Sequence, residues 1–282
     1  MTLWLQFASM LKIKLKKNPH SEQIAKKFEE LVDVVFTLRS EGGCPWDRAQ
    51  SLPDLKQYLL EECYELLEAL DQQKESAMRE ELGDVLFQVL FLSQMMQEQG
   101  AFTLLDVVNH LLEKMIGRHP HVFGDLKAGT PDEAIASWES RKGKEITERE
   151  GRHSLLQGVP LNLPALLQAN VISSKVARVG FDWENEQEVW KKFEEELKEF
   201  RDASSPAEKE EELGDILFTL VNIARKNKIN PEDALRAANA KFRKRFDALE
   251  EKVKAQKKQW TEMQAKDLDA IWNDVKKNDQ SH

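Results

Sequence analysis

The chain has 282 residues, 32% of them Asp, Glu, Lys or Arg, with only 12 Gly and 9 Pro, a balance that favours long solvated helices over a turn-rich sheet protein. A formal charge of −9, from 41 basic and 50 acidic residues, argues against a general nucleic-acid binder, so any affinity for phosphate must be local. Two cysteines, Cys44 and Cys63, with no secretory leader recognised, lead to the expectation of a reduced, cytoplasmic protein with two free thiols.

At the N-terminus the apolar TLWLQFASML precedes the basic KIKLKK, the reverse of a secretory signal's order. Residues 1–20 are read as a poorly ordered extension, with a membrane-surface amphipathic helix as the alternative. No run reaches the ~18 to 20 apolar residues of a membrane span, and no membrane partner is expected. From Phe28 the apolar residues recur three or four apart (Phe28, Leu31, Val35, Leu38), and the same period marks helices in 55–70, 82–96, 104–116, 189–200, 213–224 and 234–249. Alternating strand-like runs closed by Gly or Asn-Gly turns are absent, so the fold class is all-α.

The chain also repeats itself. Glu61-Glu62-Cys63-Tyr64-Glu65 is followed after 15 residues by Glu81-Leu82-Gly83-Asp84, and Glu195-Glu196-Leu197-Lys198-Glu199 after 12 by Glu212-Leu213-Gly214-Asp215. Lys114 with Arg118 then matches Lys241 with Arg245, and Trp138 with Lys142 matches Trp272 with Lys276. The expected organisation is a tandem of two helical bundles, 21–150 and 165–282. They are joined by a linker at 151–164 where GRHSLLQGVPLNLP concentrates the turn formers.

Successive helical residues are about 100° apart, which puts Glu62 and Glu65 about 60° from one another and on the stripe of Leu55, Leu66 and Ala69. Glu81 and Asp84 likewise share the face of Val85, Leu92 and Met95. Glu196 falls among Val189, Phe193 and Phe200, and Glu212 with Asp215 beside Ile216 and Ile223. Acids turned toward a core are costly unless a cation compensates them. Any one of them reads equally as part of a solvated face, but four acids recurring twice on paired helices predict two carboxylate clusters. With no His or Cys among them, such a set favours Mg²⁺, with Mn²⁺ as substitute, over Zn²⁺. A di-iron bundle needs Glu-x-x-His on two helices, and Glu150-Gly151-Arg152-His153 in the joint is the one such spacing. His119 and His121 flank Pro120, which places them at a helix end with a capping or surface role.

Magnesium held by carboxylates bridges to phosphate oxygens, and neither a Walker loop nor G-x-G-x-x-G is present, so side chains must hold the phosphates. Lys241, Lys244 and Arg245 share a helix face suited to that, or form a solvated basic patch.

The doubled acid pattern, CPWD at 44–47, RHPHVF at 118–123 and GFDW at 180–183 together resemble the MazG family of nucleoside triphosphate pyrophosphohydrolases, in the all-α NTP pyrophosphatase superfamily, over residues 25 to 278. The resemblance implies Mg²⁺-dependent hydrolysis of (d)NTPs to the monophosphate and pyrophosphate, a tandem chain and a homodimer. It also implies metal binding by Glu196, Glu199, Glu212 and Asp215, and nucleotide contacts from Lys241, Arg245 and Trp272. Beside this, Glu195 is a candidate to orient or deprotonate the attacking water or to serve as an outer partner of the ligands. Trp272 offers a flat face to a base or is simply core; Lys276 is a phosphate contact or simply exposed. Lys192, Asn239 and Lys244 complete the candidate substrate contacts. The first half matches Asn239 with Leu112 and Lys244 with Gly117, so 165–282 is expected to be the main catalytic module. Glu62, Glu65, Glu81 and Asp84 then form a second metal site, weaker or regulatory. The rival reading is a metal- and nucleotide-binding sensor or scaffold without turnover.

Overall fold

A computed structural model describes residues 15–150, 154–256 and 259–279. Every regular element among these residues is helical, and they divide at Glu145/Ile146 into two compact units. The division falls inside a helix, upstream of the joint expected at 151–164, whose described part, 154–164, is irregular chain. Most of the N-terminal extension, residues 1–14, lies outside the described residues.

In the first unit α1 (Ser21–Arg39) stops where Gly42 takes φ +81° and Gly43 packs so closely that a Cβ would collide with the carbonyl oxygens of Thr37 and Leu38. A short α2 (Pro45–Ala49), with Pro at its first position, leads to α3 (Leu52–Asp71). The start of α3 is fixed by Ser51, whose backbone N–H donates to Asp54 Oδ2 at 2.8 Å. There follow α4 (Glu75–Glu98), α5 (Leu104–Arg118), capped by Thr103 and Asp106, the single turn α6 (Pro120–Phe123) and α7 (Pro131–Glu150). α3 and α4 lie side by side as a hairpin, and α1 and α5 pack on α4. The core comprises Val35, Leu55, Leu90, Phe91 and Met95 with Phe28, Leu31 and Tyr58 around it, each buried aliphatic contributing about 2 kcal/mol.

The second unit repeats the hairpin with α8 (Ala165–Ala177), α9 (Glu186–Asp202) and α10 (Pro206–Lys226). It then extends through α11 (Pro231–Ala255), one 3₁₀ turn at Trp260–Glu262 and α12 (Ala265–Asp279). Capping sets the phase of the hairpin. Asn185 Oδ1 accepts the Glu188 N–H at 3.1 Å, and Ser205 and Glu208 exchange hydrogen bonds around Pro206. α9 packs on α10, and α11 packs mainly on α12, where Leu249, Val253 and Val275 form a separate small core. One stripe per unit is left uncovered at matching positions: Leu82, Leu86 and Val89 on α4, and Leu213, Leu217 and Leu220 on α10.

Candidate metal centre

Each hairpin turns acids from both its helices toward one point. In the second unit one carboxylate oxygen each from Glu196 and Glu199 on α9 and Glu212 on α10 lie within 4.8 Å of one another. Glu62, Glu65 and Glu81 do the same in the first. These three in each unit are thus brought together as the sequence spacing predicts. The fourth acid flanks them: Asp215 raises the pKa of Glu212, and Asp84 those of Glu62 and Glu81. Glu196 is only 5% exposed, whereas Glu199 and Asp215 stand at the open side.

The electrostatics show the cost of this convergence. Glu212 is pushed up first by desolvation and then by the charges of Glu199, Glu196 and Asp215. Glu199 is raised above all by sharing a hydrogen bond with Glu196. Glu62 and Glu81 are raised by desolvation and by the surrounding acids. Such a group holds protons too readily for carboxylates in water, and a divalent cation relieves that repulsion directly. The donor set is all hard oxygen, so the residues fit Mg²⁺ or Mn²⁺.

The two clusters differ in their one close counter-charge. In the second unit Lys192 Nζ lies 2.8 Å from Glu195 Oε1 and 2.8 Å from Glu196 Oε1, which raises the lysine pKa. The matching position of the first unit is Tyr58, and Glu62 is hydrogen-bonded by Gln88 instead. Lys192, expected among the substrate contacts, pairs here with two of the acids. Glu195, 57% exposed at the rim, is held by the same lysine. A cleft of about 360 Å³ opens beside the cluster between Glu195, Lys198, Glu199, Glu208 and Glu212. Lys198 there is a cation that the motif reading passed over, although it directly precedes Glu199.

The remaining candidates stand on α11 and α12. Asn239 and Lys241 are exposed. Lys244 and Arg245 both bind Asp279, at 2.8 Å each, and that ties the middle of α11 to the end of α12. Trp272 lies on Phe242 with ring centroids 5.2 Å apart and joins the Leu249 core, which is the packing alternative considered for it. Lys276 is half-buried. In the first unit the Arg118 guanidinium sits buried over the Trp138 ring at 5.2 Å, a structural contact, and the Lys142 side chain lies outside the described residues. His119 ends α5 with Nδ1 2.6 Å from Met115 O, as a capping residue should, and Cys44 and Cys63 are free thiols.

Comparison with known proteins places these clusters in a family. The MazG nucleotide pyrophosphohydrolase domain matches residues 50–123 and 184–249, and each segment contains one acid cluster. A nucleoside triphosphate pyrophosphohydrolase/pyrophosphatase MazG of Thermotoga maritima is 45% identical over 258 residues, covering 90% of this chain and 97% of that protein. A nucleoside triphosphate pyrophosphohydrolase of Escherichia coli is 38% identical over 259 residues, covering 90% and 98%. YabN of Bacillus subtilis is 45% identical over 257 residues, but this chain spans only 52% of its length.

Proposed function

We infer the function from the family: the chain belongs to the MazG nucleotide pyrophosphohydrolase family and is a nucleoside triphosphate pyrophosphohydrolase. From that premise we propose that it splits ribo- and deoxyribonucleoside triphosphates into monophosphate and pyrophosphate with Mg²⁺ held by Glu196, Glu199, Glu212 and Asp215. The observation that carries the proposal is the convergence of the three glutamates within 4.8 Å, with Glu199 raised in pKa by its hydrogen bond with Glu196 and Glu212 by desolvation and the neighbouring acids.

Mg²⁺ (or Mn²⁺) held by these four acids would supply positive charge for the triphosphate oxygens and for the attacking water. The protein's own groups do the rest. The Glu195 carboxylate at the rim accepts the proton of the attacking water or aligns it. The Lys192 ammonium, which pairs with Glu195 and Glu196, and Lys198 in the cleft wall are the two positive side chains beside the cluster that would face phosphate. On the long basic helix, Asn239, Lys241, Lys244 and Arg245 hold phosphate charge, with Lys276 beyond them. Lys244, 77% exposed in its side chain, is the readiest to exchange Asp279 for phosphate. Glu62, Glu65, Glu81 and Asp84 form a second cation site, in a weaker or regulatory unit because Leu112 and Gly117 stand where the second unit has Asn239 and Lys244.

The same reading includes a homodimer. Leu213, Leu217 and Leu220 recur at helical spacing on the uncovered side of α10, as do Leu82, Leu86 and Val89 on α4, and contiguous apolar stripes of this kind are interaction surfaces. A cytoplasmic location agrees with the free thiols, and among the described residues no helix is long and apolar enough to cross a membrane. The relatives' activity sets aside the scaffold without turnover. Pyrophosphate release from each of the eight common NTPs and dNTPs, with Mg²⁺ and with EDTA, tests the proposal. Activity undiminished in chelated, metal-free protein contradicts it.

A further inference from the structure

The cations assigned to phosphate in the second unit lie along the seam where α12 packs on α11. Successive helical residues are about 100° apart, so Lys241, Lys244 and Arg245 share a face of α11, and Trp272, Lys276 and Asp279 share one of α12. Trp272 meets Phe242 across the seam, with ring centroids 5.2 Å apart. Asp279 ends α12 on the same side. Its Oδ1 accepts from Lys244 Nζ and its Oδ2 from Arg245 Nε, each at 2.8 Å. These bonds, that of Lys244 first, hold the Asp279 carboxyl below the ordinary range.

The contact engages Arg245 by its inner edge. A guanidinium is a planar fork of N–H donors, and the Nε–H, the donor nearest the stem, is the one that Asp279 takes. Neither Nη group has a partner among the described residues. That outer edge can meet two phosphate oxygens side by side. The Arg245 side chain is 16% exposed and that of Asp279 18%, so the pair is shielded, whereas Lys244 at 77% reaches into water. Lys241, Lys244 and Arg245 repel one another on a bare helix face, and an acid between the last two offsets that repulsion before any phosphate arrives. The sequence places an acid here in both repeats: Asp279 stands seven residues after Trp272, and Glu145 seven after Trp138.

We propose that Asp279 is a positioning residue for the reaction: it fixes the Arg245 side chain through Nε and presents the Nη edge to the substrate phosphates, while Lys244 remains free to move from Asp279 to phosphate. The assignment rests on the reading above that Arg245 holds phosphate. An arginine already fixed in place loses less freedom when phosphate binds, so the acid strengthens binding although its own charge is negative. An acid that instead filled the phosphate place and had to be displaced would weaken binding, so the two roles differ in sign.

Asp279→Asn keeps the shape and removes the charge, and an acid at a helix C-terminus opposes the helix dipole, so its loss spares the helix. Calorimetric titration of the full chain with pyrophosphate in Mg²⁺ reads the effect without turnover. The variant is expected to bind pyrophosphate about fivefold or more weakly than wild type. In steady-state pyrophosphate release the loss should fall on KM, with kcat changed less than about twofold. Arg245→Gln separates action through the arginine from a general loosening of α12: added to it, Asp279→Asn should change pyrophosphate affinity less than about twofold. Pyrophosphate binding unchanged or tighter in Asp279→Asn, a fall in kcat with KM kept, losses that add in full to those of Arg245→Gln, or no pyrophosphate binding by the wild type overturns the assignment. Pyrophosphate binding weakened through Arg245, in a protein that releases no pyrophosphate from any triphosphate, refutes the catalytic reading and leaves the role of Asp279 standing.

Discussion

Lys192→Met tests whether the lysine stands in for a metal ion. The ammonium contacts Glu195 and Glu196 at 2.8 Å each, and Glu196 is 5% exposed amid Glu199 and Glu212. A hydrogen bond to a charged group contributes about 1.5–3 kcal/mol, but the lysine side chain is 36% exposed. Screening by that solvent brings the expected loss in metal-free protein down to about 1–2 kcal/mol. For a unit of this size the loss lowers Tm by roughly 3 °C per kcal/mol. Saturating Mg²⁺ compensates the same carboxylates, so the difference from wild type should shrink to less than about 0.5 kcal/mol. The lysine pKa is raised in the fold. Its contribution is therefore complete below the pKa of a free lysine and is lost only as pH rises through the folded value, so melts near neutral pH read all of it. The assay is thermal unfolding in EDTA and in Mg²⁺. A variant as stable as wild type in EDTA, or equally destabilised in both, refutes the stand-in role.

Three further outcomes follow from the same structure. Glu199 and Glu212 are raised in pKa, so metal-free protein gains stability as pH falls through their folded values toward the ordinary carboxyl range, while Mg²⁺ affinity falls over that window; calorimetry at a series of pH values should show protons released on binding. Asp182, held down to about 2 chiefly by Arg225, contributes stability above the ordinary carboxyl range that is lost as pH falls toward 2, and Asp182→Asn should cost about 2 kcal/mol in urea unfolding. Leu217→Glu puts a charge in the exposed stripe of α10 and should halve the mass seen by light scattering at micromolar concentration; a wild-type chain that is already monomeric rejects the homodimer.

The hairpins and acid clusters were legible because both depend on local periodicity: Glu196 and Glu199 share a face at i and i+3, and Ser205-Pro206 with Glu208 marks where the facing helix begins. What depended on distant partners was not legible. The partner of Arg245 is Asp279, 34 residues on, and Trp272 meets Phe242 through the fold of α11 on α12. Lys192 was visible as a cation one turn before Glu196, but which way a four-carbon stem bends is set by the burial of that carboxylate.

The central claim is that turnover belongs to the acid cluster of the second unit, and paired isosteric substitutions address it most directly. Glu196→Gln and Asp215→Asn should each lower Mg²⁺-dependent pyrophosphate release by roughly 10²-fold or more, the loss typical of removing electrostatic stabilisation from a transition state. Glu62→Gln and Asp84→Asn, which remove one charge from the matching positions, should cost much less, with circular dichroism confirming that all four variants fold. Severe loss in the first-unit pair with near-normal turnover in the second-unit pair would contradict the account.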